Sequence, residues 1–334
     1  NVKVVAIADG LGGAEDPEGL NMEELLRLFK LGQSIVHYDP ALVDNVTSFV
    51  HNASTDEGAA ARNSMHNRVE ADVFVPGGGR PDTIHETNYD AFLKADGTPS
   101  SSLIVEGANL FLTPAARRKL FERGTFVVKD SSANKCGVVV SSYEIISAML
   151  MDEEEFVAHK PEIVRDVQAK IKELARLEAE LLFDEYERDP RQQLPDLSLR
   201  ISNAIIKVSD AVYDAIEDSD YTEFNDILRD HLPETIAEIA FDRMHERVPR
   251  AYIRNIISKR LGTTLVYNEG LAFAESNEGL DLAVKAMHYG AAKRTFDNLL
   301  LNAESADPAV QSAWKTSMVE LLKSSSPRLI VESH

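Results

Sequence analysis

Residues 102–129 read SLIVEGANLFLTPAARRKLFERGTFVVK, a strand, a helix and a strand in succession. SLIVE (Ser102–Glu106) and TFVVK (Thr125–Lys129) are short apolar runs. Between them Thr113 is placed to cap a helix that opens on Pro114, where the missing N–H costs nothing, and Gly124 gives that helix a stop. Two strands joined through a helix form a βαβ unit.

The same alternation extends outward from this stretch. ADVFV (Ala71–Val75) is a further strand, stopped by Pro76 and three glycines. Val2–Ala8 reads as a buried strand ending at Asp9, ahead of a loop containing Gly10, Gly12 and Gly13. Asn21 offers an N-cap, with Glu24 as its capping-box partner, for a helix around Met22–Phe29. The N-terminal side therefore predicts a parallel sheet flanked by helices. From about residue 136 the period turns helical. Val167, Ile171, Leu174, Leu177 and Leu181 form one apolar stripe, and Leu197, Ile201, Ile205, Val208, Val212 and Ile216 another, both suited to ordinary core packing. RDPRQQLPDL (Arg188–Leu197) is the turn between them. The expected fold class is α/β followed by an all-α region.

With 334 residues, 44% hydrophobic and 27% charged, the chain has the profile of a globular protein of about two domains. Its 55 acidic against 35 basic residues give a net charge of −20, which opposes attraction to nucleic acid or to an anionic membrane. No apolar run approaches the ~18 residues of a bilayer-spanning helix. The lone Cys136 leaves no intrachain disulfide and no cysteine-rich zinc site, so a reducing compartment is expected. The sequence opens on Asn1 and runs directly into VKVVAIA without the features of a secretory leader, and reads as the interior of a longer polypeptide.

Three strand ends carry polar loops. In PGGGR (Pro76–Arg80), residues without Cβ let the backbone approach a ligand, or else simply make a flexible turn; no Walker loop occurs. VEGAN (Val105–Asn109) would project Glu106 and Asn109 into one crevice. KDSSANKCG (Lys129–Gly137) leads into the helix VVVSSYEIISAML. Its N–H groups, the hydroxyls of Ser131, Ser132 and Ser141 and the amide of Asn134 suit a carboxylate. Asp9 closes a strand as does the acid that binds ribose hydroxyls in dinucleotide-binding folds, a plain turn former being the other reading. Cys136 has no companion histidine motif and reads as a space-filler. No H-E-x-x-H and no histidine pair at i, i+4 occurs, so no metal is expected. Arg243, Arg247, Arg250, Arg254, Lys259 and Arg260 read as a solvated helix face pairing with acidic neighbours, with a subunit contact or anionic-effector site as the alternative.

DPEGL (Asp16–Leu20), ADVFVPGGGRPDTI (Ala71–Ile84), LIVEGANLFLTPAARRKL (Leu103–Leu120) and KDSSANKCGVVVSSYE (Lys129–Glu144) together resemble, in order and spacing, the NAD-specific glutamate dehydrogenases of the large-subunit type. RVPRAYIRNIISKRLGTTLVYNEGL (Arg247–Leu271) resembles the helical tail of those large enzymes. The resemblance implies a partial Rossmann-type NAD-binding domain over 1–135, lacking its first βα unit, and a helical C-terminal region over 136–334. It implies NAD as cofactor, with Asp9 near the adenosine ribose, the backbone of Gly77 and Gly78 along the cofactor, and Asn109 near the nicotinamide ribose. Asn134 would lie close to both nicotinamide and substrate, and Val138 and Ser141 would line the pocket for the distal carboxylate of glutamate.

The implied reaction is oxidative deamination of L-glutamate to 2-oxoglutarate and ammonia. The family's catalytic lysine and proton-shuttling carboxylate belong upstream, so no catalytic residue is assigned in this chain, which is expected to be inactive alone. Its partners are expected to be the small-molecule substrate and further copies of itself, with neither nucleic acid nor membrane. A cytoplasmic location is expected, the mitochondrion being the alternative. Two other readings stay open: a non-catalytic nucleotide-binding or regulatory module, and a related dehydrogenase for another amino acid, with Ser141 the discriminating position.

Overall fold

The computed structural model describes residues 2–78, 80–305, 316 and 319, and the chain divides into two compact units. The first takes in residues 2–134 with Gln193–Pro195, the second Lys135–Gln192 and the chain from Asp196 onward. A parallel sheet followed by a helical region is the architecture observed.

The first unit holds two three-stranded sheets. Strands β1 (Ala6–Ala8), β2 (Gly12–Glu15) and β3 (Phe49–Asn52) pair antiparallel, with Ala6 opposite Glu15 and Gly13 opposite His51. Strands β4 (Ala71–Phe74), β5 (Ser101–Val105) and β6 (Phe126–Val128) pair parallel in chain order, with Ala71 opposite Ser101 and Leu103 opposite Phe126. The parallel sheet closes over Ile84, Phe92, Ile104, Leu112, Leu120 and Val127, and the antiparallel one over Ala14, Leu20, Leu28, Ile35 and Tyr38.

This arrangement corrects the reading of Val2–Ala8. Only Ala6–Ala8 is strand, and it belongs to the antiparallel sheet rather than the parallel one. Gly12 and Gly13, expected in a loop, are buried strand residues. A Cβ on Gly12 would fall far inside van der Waals contact with the His51 carbonyl oxygen, so glycine is what lets β2 lie this close to β3.

Helices α1 (Met22–Leu31) and α2 (Asp56–Arg68) follow local rules. Asn21 caps α1 by accepting from Glu24 N at 3.1 Å, and Gly32 ends it with φ 62°. The reciprocal half of the capping box is replaced. The Asn21 N–H donates to the Tyr38 hydroxyl at 2.7 Å, while the Glu24 carboxylate takes Arg27 and the Asp39 N–H. Helix α3 (Pro114–Phe121) links β5 to β6; Thr113 accepts from Ala116 N at 3.2 Å and Gly124 sits at φ 90°. A single turn, α4 (Asp130–Ala133), follows β6.

The second unit is helical: α5 (Cys136–Leu150), α6 (Glu153–Arg188), α7 (Leu194–Ala215) from Asp196 onward, α8 (Asn225–His231), α9 (Glu234–Ile239), α10 (Met244–Arg247), α11 (Arg250–Ser276) and α12 (Gly279–Ser305). Leu197, Ile201, Val208 and Val212 of the predicted stripe supply buried core on α7, Ile216 is buried just beyond its end, and Gly262 of α11 presses so close that a Cβ would stand 3.0 Å from Ile205 O. Helix α11 breaks at Gly270, whose φ of 80° and ψ of −179° are open to glycine alone at little cost.

The basic cluster pairs with acidic neighbours as expected, Arg254 with Glu217 at 3.5 Å and Arg260 with Asp230 at 2.6 Å, and its guanidiniums also reach backbone carbonyls. Arg243 grips Glu155 with both terminal nitrogens, at 2.6 and 2.7 Å, and donates to Leu150 O at 3.1 Å; Arg247 reaches the same carbonyl at 3.2 Å. Arg250 donates to the carbonyls of Glu217 and Ser219 while lying over the Tyr221 ring, and Arg254 donates to Tyr213 O while lying over that ring. Arg243, Arg247, Arg250 and Arg254 thus satisfy carbonyls left open at or just beyond the end of a helix, where a cation also complements the dipole.

His231, tilted against Tyr143 with ring centroids 5.6 Å apart, is held down to about 4 by withdrawal from water and by the nearby Arg260 and Lys170. Its folded value lies below the unfolded one of ~6.5. The unfolded chain therefore binds the extra proton between those two values, and stability rises with pH across that window. We expect His231→Gln to flatten the pH dependence of urea unfolding by at most ~1.4 kcal/mol per pH unit from pH 6.5 down to 4. Curves of equal slope for both proteins would contradict this.

Candidate cofactor and substrate site

The carboxyl ends of β4, β5 and β6 lead into three loops that are stitched together. Ala108 N donates to Pro76 O at 2.6 Å, joining the loop after β5 to the one after β4. Gly107 makes this possible, since a Cβ there would already stand 3.1 Å from that same oxygen. The Asn134 amide donates to Asn109 Oδ1 at 2.5 Å, joining the loops after β5 and β6. Leu110 N donates to the Asp130 carboxylate at 2.9 Å and Leu110 O accepts from Asp82 N at 2.8 Å. Held from both sides, Leu110 adopts φ 56°, a left-handed backbone that costs a branched residue about 1–2 kcal/mol.

Beneath these loops lies a buried ion pair. Glu106 is 0% exposed and receives Arg117 Nε and Nη2, each at 3.0 Å, the Leu112 N–H at 3.0 Å and the Asp130 N–H at 3.2 Å. This corrects the expectation that Glu106 projects into the crevice: its carboxylate is consumed by an arginine from α3. Burial works against the charge of Asp130, but the Leu110 N–H, the Lys129 ammonium and the Ser131 N–H outweigh it and keep the carboxyl below its usual value.

Of the residues read from the sequence, the structure brings Asn109 and Asn134 into direct contact, with Gly77 next to Gly107. Gly77 and Gly78 have neither a left-handed φ nor any heavy atom within 4 Å of a built Cβ, so internal packing does not require glycine at either place. Asp9 serves the β1–β2 hairpin. Its Oδ1 accepts from Leu11 N, Gly12 N and Ser34 Oγ, and its Oδ2 from Ile35 N. Partial burial opposes its charge, yet these four donors hold its carboxyl below the ordinary value. Val138 and Ser141 lie one turn apart on an exposed face of α5, in the second unit. Cys136 is exposed rather than space-filling.

The start of α5 breaks the usual pattern. It has no side-chain cap and no acidic residue in its first turn, which leaves N–H groups and the positive dipole end for an anion. Among the described residues no group of three His, Cys, Asp or Glu side chains could hold a metal ion, and no helix is long and apolar enough to cross a membrane. Sequence reasoning missed the Glu106–Arg117 pair. An acid at a strand end followed by a short cationic helix was the available signal.

Comparison with known proteins agrees with the resemblance. Glutamate dehydrogenase 2 of Dictyostelium discoideum is 35% identical over 302 residues, covering 83% of this chain and 28% of its own length. The NAD-specific glutamate dehydrogenase of Neurospora crassa is 37% identical over 309 residues, covering 81% and 28%, and the probable NAD-specific enzyme of Schizosaccharomyces pombe is 33% identical over 289, covering 80% and 26%. The chain thus spans little more than a quarter of the length of these relatives. Because the family model for glutamate/leucine/phenylalanine/valine dehydrogenase matches residues 1–185, more than half of the sequence, the chain belongs to that family.

Proposed function

We propose that this chain forms the cofactor-binding part and helical C-terminal region of an NAD-dependent glutamate dehydrogenase, with the division falling at 135/136. The overall reaction takes L-glutamate, water and NAD+ to 2-oxoglutarate, ammonium, NADH and a proton. The observation that carries the reading is the contact between Asn109 and Asn134 at the joined strand-end loops, within a family of amino-acid dehydrogenases. NAD supplies the acceptor for hydride leaving the substrate Cα; the resulting imino acid is hydrolysed by water.

The residues present fit such a cofactor. Open backbone at Gly77 and Gly78 admits a close neighbour, and the two carboxamides offer both donors and acceptors for ribose and nicotinamide groups. Asp9 Oδ2, which accepts from Ile35 N, keeps capacity for one ribose hydroxyl. On α5, the uncapped helix start and the Ser141 hydroxyl suit the distal carboxylate, with Val138 against the methylenes. These groups bind and orient, while the lysine and carboxylate that move protons are expected in the parts of the enzyme outside this chain. The enzyme is expected to be a homo-oligomer working in the cytoplasm or the mitochondrion.

The test is NADH formation by the full-length protein with a panel of amino acids. Glutamate should be strongly preferred, and Ser141→Val should raise KM for glutamate ~10-fold, the worth of one hydrogen bond to a charged group, while relaxing selection against apolar amino acids. An unchanged substrate profile would remove Ser141 from the pocket. A preference for a branched or aromatic substrate in the unmodified enzyme would replace glutamate in the reading.

A further inference from the structure

Lys135 stands at the start of α5, where a cation opposes the helix dipole. Its ammonium is offset by the carboxylate of Glu178, which comes from the middle of α6 and is 3% exposed. The same Glu178 Oε2 accepts the Tyr267 hydroxyl of α11 at 2.5 Å, and Oε1 has no hydrogen-bond partner among the described residues. One buried oxygen therefore ties together the start of α5 and the two longest neighbouring helices. Burial and the adjacent carboxylate hold the Tyr267 phenol above its ordinary value, so it remains a donor at any physiological pH.

A buried acid with half of its acceptor capacity unused is a poor device for stability. Desolvating the charge is costly, and an apolar residue of similar size would pack at least as well. Local rules are also broken at the other end, by a cation where an anion or a cap belongs. Both departures make sense if the first turn of α5 must sit in one fixed position. We infer that Glu178, braced by Tyr267, is a positioning residue that fixes Lys135 and the first two turns of α5, which bear Val138 and Ser141, for the amino-acid substrate. This rests on the assignment of α5 to the substrate pocket.

In the full-length enzyme, Glu178→Gln should raise KM for glutamate about 5–10-fold, the size of one lost charge-assisted hydrogen bond, with kcat and KM for NAD changed less than about 2-fold. Amide exchange across residues 135–141 should quicken in the same variant. Lys135→Ala combined with Glu178→Gln should do no further harm, because the two act as one unit, whereas Glu178→Asp should recover part of the loss. Unchanged exchange and unchanged KM would overturn the inference. So would a loss of activity that follows the folded fraction alone, with KM untouched. Faster exchange with a KM shift confined to NAD would also overturn it, and would move α5 out of the substrate pocket. If the enzyme prefers another amino acid, the same split measured on that substrate tests the positioning role while the glutamate assignment falls.

Discussion

We expect Arg117→Met to lower the stability of the protein by about 3–5 kcal/mol in urea titration, the cost of leaving a buried carboxylate without its cation. Glu106 and Arg117 are both shielded from water, and the arginine meets the acid through two nitrogens, so no solvent can replace it. Asp130 makes the loss worse, its Oδ1 lying 4.0 Å from the same guanidinium. Arg117→Lys should recover only part of the stability, because a single ammonium cannot reproduce the two-pronged contact. Adding Glu106→Gln to Arg117→Met should restore more, since the amide oxygen can still accept from Leu112 or Asp130 without a stranded charge. A single-variant loss below ~1 kcal/mol would mean that water reaches the pair. The damage should also extend to binding, since Glu106 anchors the segment on which Asn109 sits.

Gly58→Ala is the second large effect. A Cβ there would overlap the Asn52 carbonyl oxygen, stand 2.7 Å from the carbonyl carbon and 3.0 Å from Thr55 Oγ1. Two of those atoms are backbone, which cannot swing away as a side chain can. The Gly58 N–H is also the donor that Thr55 caps at 3.1 Å, so the shift that makes room for the methyl breaks the cap. We expect a loss of about 3 kcal/mol, the upper end for overpacking, despite the better helix propensity of alanine. Gly77→Ala is the matching control. Its Cβ meets nothing within 4 Å, so stability should stay within ~0.5 kcal/mol, and any loss of NAD affinity belongs to the ligand. Equal stability of the two variants would refute the contrast.

The βαβ unit was legible because its signals are local: Thr113, Pro114 and Gly124 each act on a helix end within a few residues. The alternation of apolar side chains likewise exposed the α7 stripe. The family resemblance was legible for a similar reason, being carried by loops with fixed spacing. What failed depends on partners far along the chain. An apolar run such as Val2–Ala8 signals a strand but does not choose its neighbour, and the neighbour turned out to be the glycine-rich segment itself. Gly12 looks like a loop residue until the carbonyl of His51, 39 positions later, is laid beside it. Glu106 looked available because its arginine arrives from the next helix. Glu178, on the edge of the α6 stripe, carried no sign that Lys135 and Tyr267 would converge on it. For the candidate site, Asn109 and Asn134 could be read as members of adjoining strand-end loops, but their direct contact could not.

The two grips of Arg243 and Arg247 on Leu150 have a consequence for manufacture. The residues that finish the end of α5 lie 93 and 97 positions further along the chain. At ribosomal speeds of about 5–20 residues per second, that delay is roughly 5–20 s. During this time the nascent helix bearing Val138 and Ser141 has an open terminus, and a chain stopped short of Arg243 never closes it.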